Sequence, residues 1–187
     1  MLQATAKAAL EHDVRNPGSH MSIEQEIMAW DGKSADDIRV VYKAYREQPG
    51  FADTIINLTD DEHYQKGATW LLKAWLESGN KLKKSQIAKI YGLLNKLRHW
   101  EAKLHLLQCI PFMPIETTDR KSIDTFLRAT LTDANKFVRA WSYNGFYELA
   151  AQHPEYKEEV KKFFEMAIRD EAPSVKARIR IIMKKGF

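Results

Sequence analysis

The side chains with the most chemical reach in this sequence are its cations. Lys73, Lys81, Lys83, Lys84, Lys89, Lys96, Arg98 and Lys103 fall between residues 73 and 103, where only Glu77 and Glu101 oppose them. Such an excess attracts phosphates or carboxylates, and the attraction weakens with salt. Lys176, Arg178, Arg180, Lys184 and Lys185 form a second cluster near the end of the chain. Trp100 stands beside Arg98 and His99. An exposed indole there would stack on a base or on a partner side chain. The plainer alternative is a solvated helix face whose lysines serve solubility. Trp75 and Trp141 continue apolar stripes and read as core.

Catalytic constellations are mostly missing. The sequence holds no Gly-x-x-x-x-Gly-Lys-Ser/Thr and no Gly-x-Gly-x-x-Gly, so the phosphate-cradling loops are absent, and no His-Glu-x-x-His occurs. His99 and His105 are six residues apart, a poor spacing for one helical face, and the histidines read as surface residues. Cys109 adjoins Ile110 and Pro111 and reads as a small buried apolar residue rather than a nucleophile. The expectation is a protein without catalytic residues, cofactor or metal.

The elements that must position these residues are helical. The chain has 187 residues, 44% hydrophobic and 29% charged, with net charge +4 and a pI near 9.0. That is enough for one domain with a sizeable core. A single cysteine excludes an intrachain disulfide and fits a reducing, cytoplasmic setting. No apolar run approaches a bilayer span. Gly18-Ser19-His20-Met21 resembles a vector remnant, so residues 1–20 read as an expression tag or a native arm, and 21–187 as a single domain.

From Met21 onward apolar residues recur at helical spacing. Ser34-Ala35-Asp36-Asp37 opens a helix that Pro49-Gly50 ends. A short segment, Phe51 to Leu58, follows, and Thr59-Asp60-Asp61-Glu62 reads as a capping box. Gly79 stops the next helix. Further helices span about Trp100 to Ile110, Thr117 to Leu131, Asn135 to Ala151 and Pro154 to Ile168, and Pro173 leads the last.

Four of the helix starts repeat. Gln65-Lys66-Gly67-Ala68, Trp100-Glu101-Ala102-Lys103, Val138-Arg139-Ala140-Trp141 and Val175-Lys176-Ala177-Arg178 each carry a small third residue. These small residues recur at intervals of 102−67 = 35, 140−102 = 38 and 177−140 = 37. A unit of that length holds one helix pair, which buries its apolar face only by stacking on its neighbours. Asp133 to Ala140 and Glu171 to Ala177 both read as acid, turn, then Val-basic-Ala, which resembles HEAT-like (armadillo-type) repeats. The resemblance implies an all-α fold, an α-α superhelix (a HEAT-like solenoid) of about four helix pairs. It also implies that the second helix of each pair lines the concave surface, placing Lys81 to Arg98 there. A generic antiparallel bundle is the alternative.

A weaker similarity is to the HEAT-like alkylpurine DNA glycosylases, with Trp100 and Arg139 in the places of that family's groove tryptophan and arginine. The family's carboxylate one turn after the tryptophan is missing, because Leu104 stands there, so glycosylase activity is not expected. Arg139 is equally suited to pairing with a turn acid such as Asp133. The expected function is a non-catalytic module binding a protein partner through a repeat groove. The alternative is a nucleic-acid-binding protein, in its enzyme form a divergent DNA-base glycosylase relative, using a basic concave surface of Lys81, Lys83, Lys84, Lys89, Lys96, Arg98, Trp100, Arg139, Arg178 and Arg180. An apolar C-terminal edge at Ile179, Ile182 and Met183 would allow self-association.

Overall fold

Local cap chemistry sets most of the helix boundaries. A computed structural model describes residues 21–186, so the reading of residues 1–20 falls outside the described residues. Ser22 and Gln25 form a reciprocal capping box at the start of α1 (Ile23–Ala29). The Ser34 hydroxyl accepts from the Asp37 amide at 3.2 Å and opens α2 (Ala35–Tyr45). Gly50, at φ 79°, makes the left-handed turn into α3 (Phe51–Leu58).

The capping box read from Thr59 to Glu62 is not formed. The Thr59 hydroxyl instead donates back to the Ile55 carbonyl at 2.9 Å, so this residue closes α3, and α4 (Gln65–Glu77) begins only after a further turn. The next helices are α5 (Lys84–Leu93) and α6 (Trp100–Cys109). Then come α7 (Arg120–Leu131), which starts three residues later than its sequence pattern suggests, and α8 (Lys136–Gln152), capped by Asn135. The chain continues with α9 (Lys157–Asp170) and α10 (Pro173–Met183). Among the described residues there is no strand.

The even-numbered helices α2, α4, α6, α8 and α10 follow one another in one layer, and α3, α5, α7 and α9 form the other. Together they make the all-α superhelical stack expected from the repeat period. Its closest hairpins are α3/α4 and α7/α8, each an odd helix followed by an even one, while α9 packs equally on α8 and α10. In those two hairpins the pairing is one helix out of phase with the sequence reading, in which the even helices come first. Neighbouring even helices from α4 to α10 approach closely, whereas the odd ones stand wider apart. A two-layer stack bends toward its closer-spaced layer, so the even layer is the inner one.

Side-chain bonds tie each unit to the next at nearly constant sequence separation. They run from Lys103–Asp133, 30 residues apart, to His153 and the Ile115 carbonyl, 38 apart. The buried Gln65 shows the device: its amide donates to the Lys96 carbonyl at 3.1 Å and accepts from the Arg98 amide at 2.9 Å. Ion pairs repeat it near the even-helix starts, with Lys66–Glu101 at 2.6 Å, Lys103–Asp133 at 3.2 Å and Arg139–Glu171 at 2.9 Å.

The four small positions do fall near the starts of α4, α6, α8 and α10, third in the first two helices and fifth in the last two. Gly67, Ala102 and Ala140 are buried, and Ala177 on the last helix is exposed. Gly67 makes room for α1 rather than for a neighbouring even helix. A Cβ there would lie 2.6 Å from Ile27 Cγ2. The glycine that lets α7 close on α8 is Gly145, where an added Cβ would overlap Leu127 Cδ2.

A candidate polyanion-binding face

On the inner layer the residues facing away from the core centre form stripes. On α2 and its C-cap, Arg39, Lys43 and Arg46 are spaced by four and three residues, which sets them on one helical face. On α4 the stripe is Trp70, Lys73 and Glu77. The two stripes line a groove of about 360 Å³ between the helices, floored by Tyr42, whose hydroxyl meets Ser78 Oγ at 2.8 Å. Four cations line the groove and one acid answers them.

The arrangement of those charges leaves them available. Lys73 reaches Glu77 at 2.9 Å and Arg46 reaches Glu47 at 3.1 Å. Arg39 contacts Asp36, and Lys43 makes no ion pair among the described residues. Pairs with one partner this exposed are weak and exchange readily for a ligand's charges. The Arg46 guanidinium also lies 5.6 Å from the Tyr42 ring centroid, which holds it at the groove mouth.

Farther along the same layer Trp141 on α8 is half-buried, and the Arg178 guanidinium of α10 covers its ring at 4.1 Å. Trp70 and Trp141 are 141−70 = 71 residues apart, two units along the stack. Trp141 packs against the core, as its sequence stripe suggests, and also shows part of its ring on this face. Each tryptophan presents an aromatic surface beside cations.

Reactive groups near this face are held inert. His105, read from sequence as a surface residue, lies largely buried between α4 and α6, with Nδ1 3.0 Å from Thr69 Oγ1. That hydroxyl gives its proton to the Gln65 carbonyl at 2.7 Å, so Nδ1–H donates to it. Burial, aided by Lys73, pushes the imidazole pKa down to about 4, so the ring is neutral at neutral pH. Cys109 is fully buried, and burial drives its thiol well above the usual range. No cluster of three or more potential metal ligands exists among the described residues. No buried side-chain nitrogen or oxygen there lacks a partner.

The residues singled out in the sequence do not converge. Lys81 and Lys83 precede α5, and Lys84, its first residue, pairs with Glu116 at 3.0 Å. Lys89 contacts Asn57, and Lys96, beyond the other end of α5, reaches Asp60 at 2.7 Å. Since α5 belongs to the wider-spaced layer, these lysines lie on the outer side of the stack, not along its inner face. Arg98 is exposed before α6, and Trp100 at the helix start is 42% exposed. Arg180 is exposed on α10.

Arg139 grips both Glu171 oxygens, and its Nη1 donates to the carbonyls of Asp133 and Ala134. Its partner is thus the acid of the next unit; the Asp133 carboxylate goes to Lys103. Glu101, the carboxylate nearest Trp100, is taken by Lys66. The expected C-terminal edge also differs. Ile179 and Ile182 are fully buried, which leaves Ile181, Met183 and Met166 of α9 exposed.

The sequence reading passed over Arg39, Lys43, Arg46 and Trp70. The spacing of the α2 cations was the available signal, but only the packing of α2 on α4 brings them to Trp70. No helix among the described residues is long and apolar enough to cross a membrane. The chain matches no family model, no curated protein and no solved structure.

Proposed function

We propose that this protein is a non-catalytic interaction module, a HEAT-like stack that holds an acidic segment of a partner protein along its inner face. The groove between α2 and α4 carries the reading. Arg39, Lys43, Arg46 and Lys73 converge there around Trp70, held only by exposed ion pairs to Asp36, Glu47 and Glu77. An extended repeat surface binds without reactive side chains, which fits the neutral, hydrogen-bonded His105 and the inaccessible Cys109.

A labelled polyglutamate serves as the probe. It is expected to bind at low salt, and Lys43→Glu combined with Arg46→Glu should weaken it by about tenfold without unfolding the chain. Unchanged binding in that variant refutes the groove as the site.

Nucleic acid is the second reading, and Trp70 and Trp141 favour it, since aromatic surfaces beside cations stack bases. Tight oligothymidylate binding that falls steeply with salt and with Trp70→Ala, together with no binding of polyglutamate, would reassign the face to single strands.

A further inference from the structure

A second surface lies on the outer layer, at the start of α5. Lys81, Leu82, Lys84, Ile87, Phe112 and Pro114 line a mostly apolar pocket of about 290 Å³, with Glu116 at its edge. Phe112 sits between Pro111 and Pro114 and is 46% exposed, although it is a large apolar residue. The prolines restrict the backbone on both sides, so the pocket wall is preformed. Its floor is fixed by Ile87, which is buried.

The rim is positive. Lys81, Lys83 and Lys84 are all exposed, and the first turn of α5 contains no acid. The positive end of the helix dipole adds to their field. The one acid in the lining, Glu116, pairs with Lys84 through side chains that are 86% and 49% exposed, while Asp53 nearby is held by Gln86. The Lys84–Glu116 pair is readily displaced.

We infer that this pocket receives one bulky apolar side chain from an acidic segment of a partner protein, the flanking carboxylates lying against Lys81 and Lys84. An aromatic or leucyl side chain matches the pocket in size and in apolar lining. Two lysines against one glutamate make the rim complementary to acids and repellent to basic segments. The site is separate from the α2–α4 groove, so the two stand or fall independently.

The test is fluorescence anisotropy with a labelled EDLFDE peptide on the full chain. The peptide is expected to bind, and to lose about tenfold or more in affinity with Phe112→Ser. Lys81→Glu combined with Lys84→Glu should cost a similar factor. Phe112 and both lysines are exposed, so these variants keep the fold, which circular dichroism verifies. Lys43→Glu with Arg46→Glu should leave this binding unchanged. A peptide in which Leu and Phe are replaced by Ser should bind at least about tenfold more weakly. Equal binding of the two peptides, or indifference to Phe112→Ser, overturns the inference. So does oligothymidylate binding that depends on Lys81 and Lys84 while the peptide fails to bind.

Discussion

Two glycine-to-alanine exchanges with opposite expected signs test the packing of the stack. Gly92 in α5 is exposed, and an added Cβ there meets nothing within 4 Å. Alanine at this position should stabilise the protein by about 0.5–1 kcal/mol, the usual helix preference over glycine. Gly145 in α8 carries the same preference, but its added methyl overlaps Leu127 Cδ2 and lies 3.4 Å from Ile110 Cδ1. Leu127 is fully buried and Ile110 is 1% exposed, so neither side chain can swing into solvent. Overpacking of this kind costs about 1–3 kcal/mol. Since the helix preference is shared, Gly145→Ala should be less stable than Gly92→Ala by that same amount. For a chain of this size, about 2–4 °C per kcal/mol separates the two melting temperatures by several degrees. Far-UV circular dichroism during thermal and urea unfolding reads both. In a Leu127→Ala background the clash has no partner, so Gly145→Ala should then be neutral or stabilising. Equal stability of the two single variants, or an undiminished cost beside Leu127→Ala, would refute the close approach of α7 to α8.

Three further outcomes follow. His105 has a folded pKa of about 4 against 6.5 when unfolded, so the unfolded chain takes up the proton first as pH falls. Stability should therefore drop between pH 6.5 and 4 by about 3 kcal/mol, at about 1.36 kcal/mol per pH unit, and urea unfolding of His105→Gln should lack that part of the loss. Arg139→Ala strands Glu171, whose side chain is only 14% exposed, and should cost about 2 kcal/mol; Arg139→Lys should restore part of it, because lysine cannot reproduce the two-pronged contact. The Cys109 thiol should resist a thiol-specific disulfide reagent in the folded protein and react fully in denaturant; rapid reaction of the folded form would contradict its burial.

Most helix starts are legible in the sequence because they rest on local chemistry. Ser34, Asn135 and Pro173 act within one turn of themselves, and Gly50 and Gly79 adopt the positive φ their places require. Thr59 misleads because its hydroxyl has two local choices, and the backward bond to Ile55 wins. The repeat period is also visible, since bonds such as Thr69–His105 and Lys66–Glu101 span one unit. What distant partners decide is hidden. His105 looks exposed until Thr69, 36 residues earlier, is placed beside it. Arg139 has acids on both sides in sequence, and only the stacking of α10 selects Glu171. The lysine run around α5 is conspicuous, yet its layer is set by helix spacing that no local pattern encodes. The Arg39, Lys43 and Arg46 stripe is sparse in sequence and becomes a site only against α4.

The indole N–H resonances of the five tryptophans offer the most direct measurement of where a polyanion lies. Titrating the protein with polyglutamate at low salt should shift the Trp70 indole, with Trp141 responding beside Arg178. Trp30, whose indole donates to the Ser34 carbonyl at 2.8 Å, and Trp100 should stay in place. Shifts confined to Trp100, or no shift at Trp70 under saturating probe, would contradict binding along the inner face.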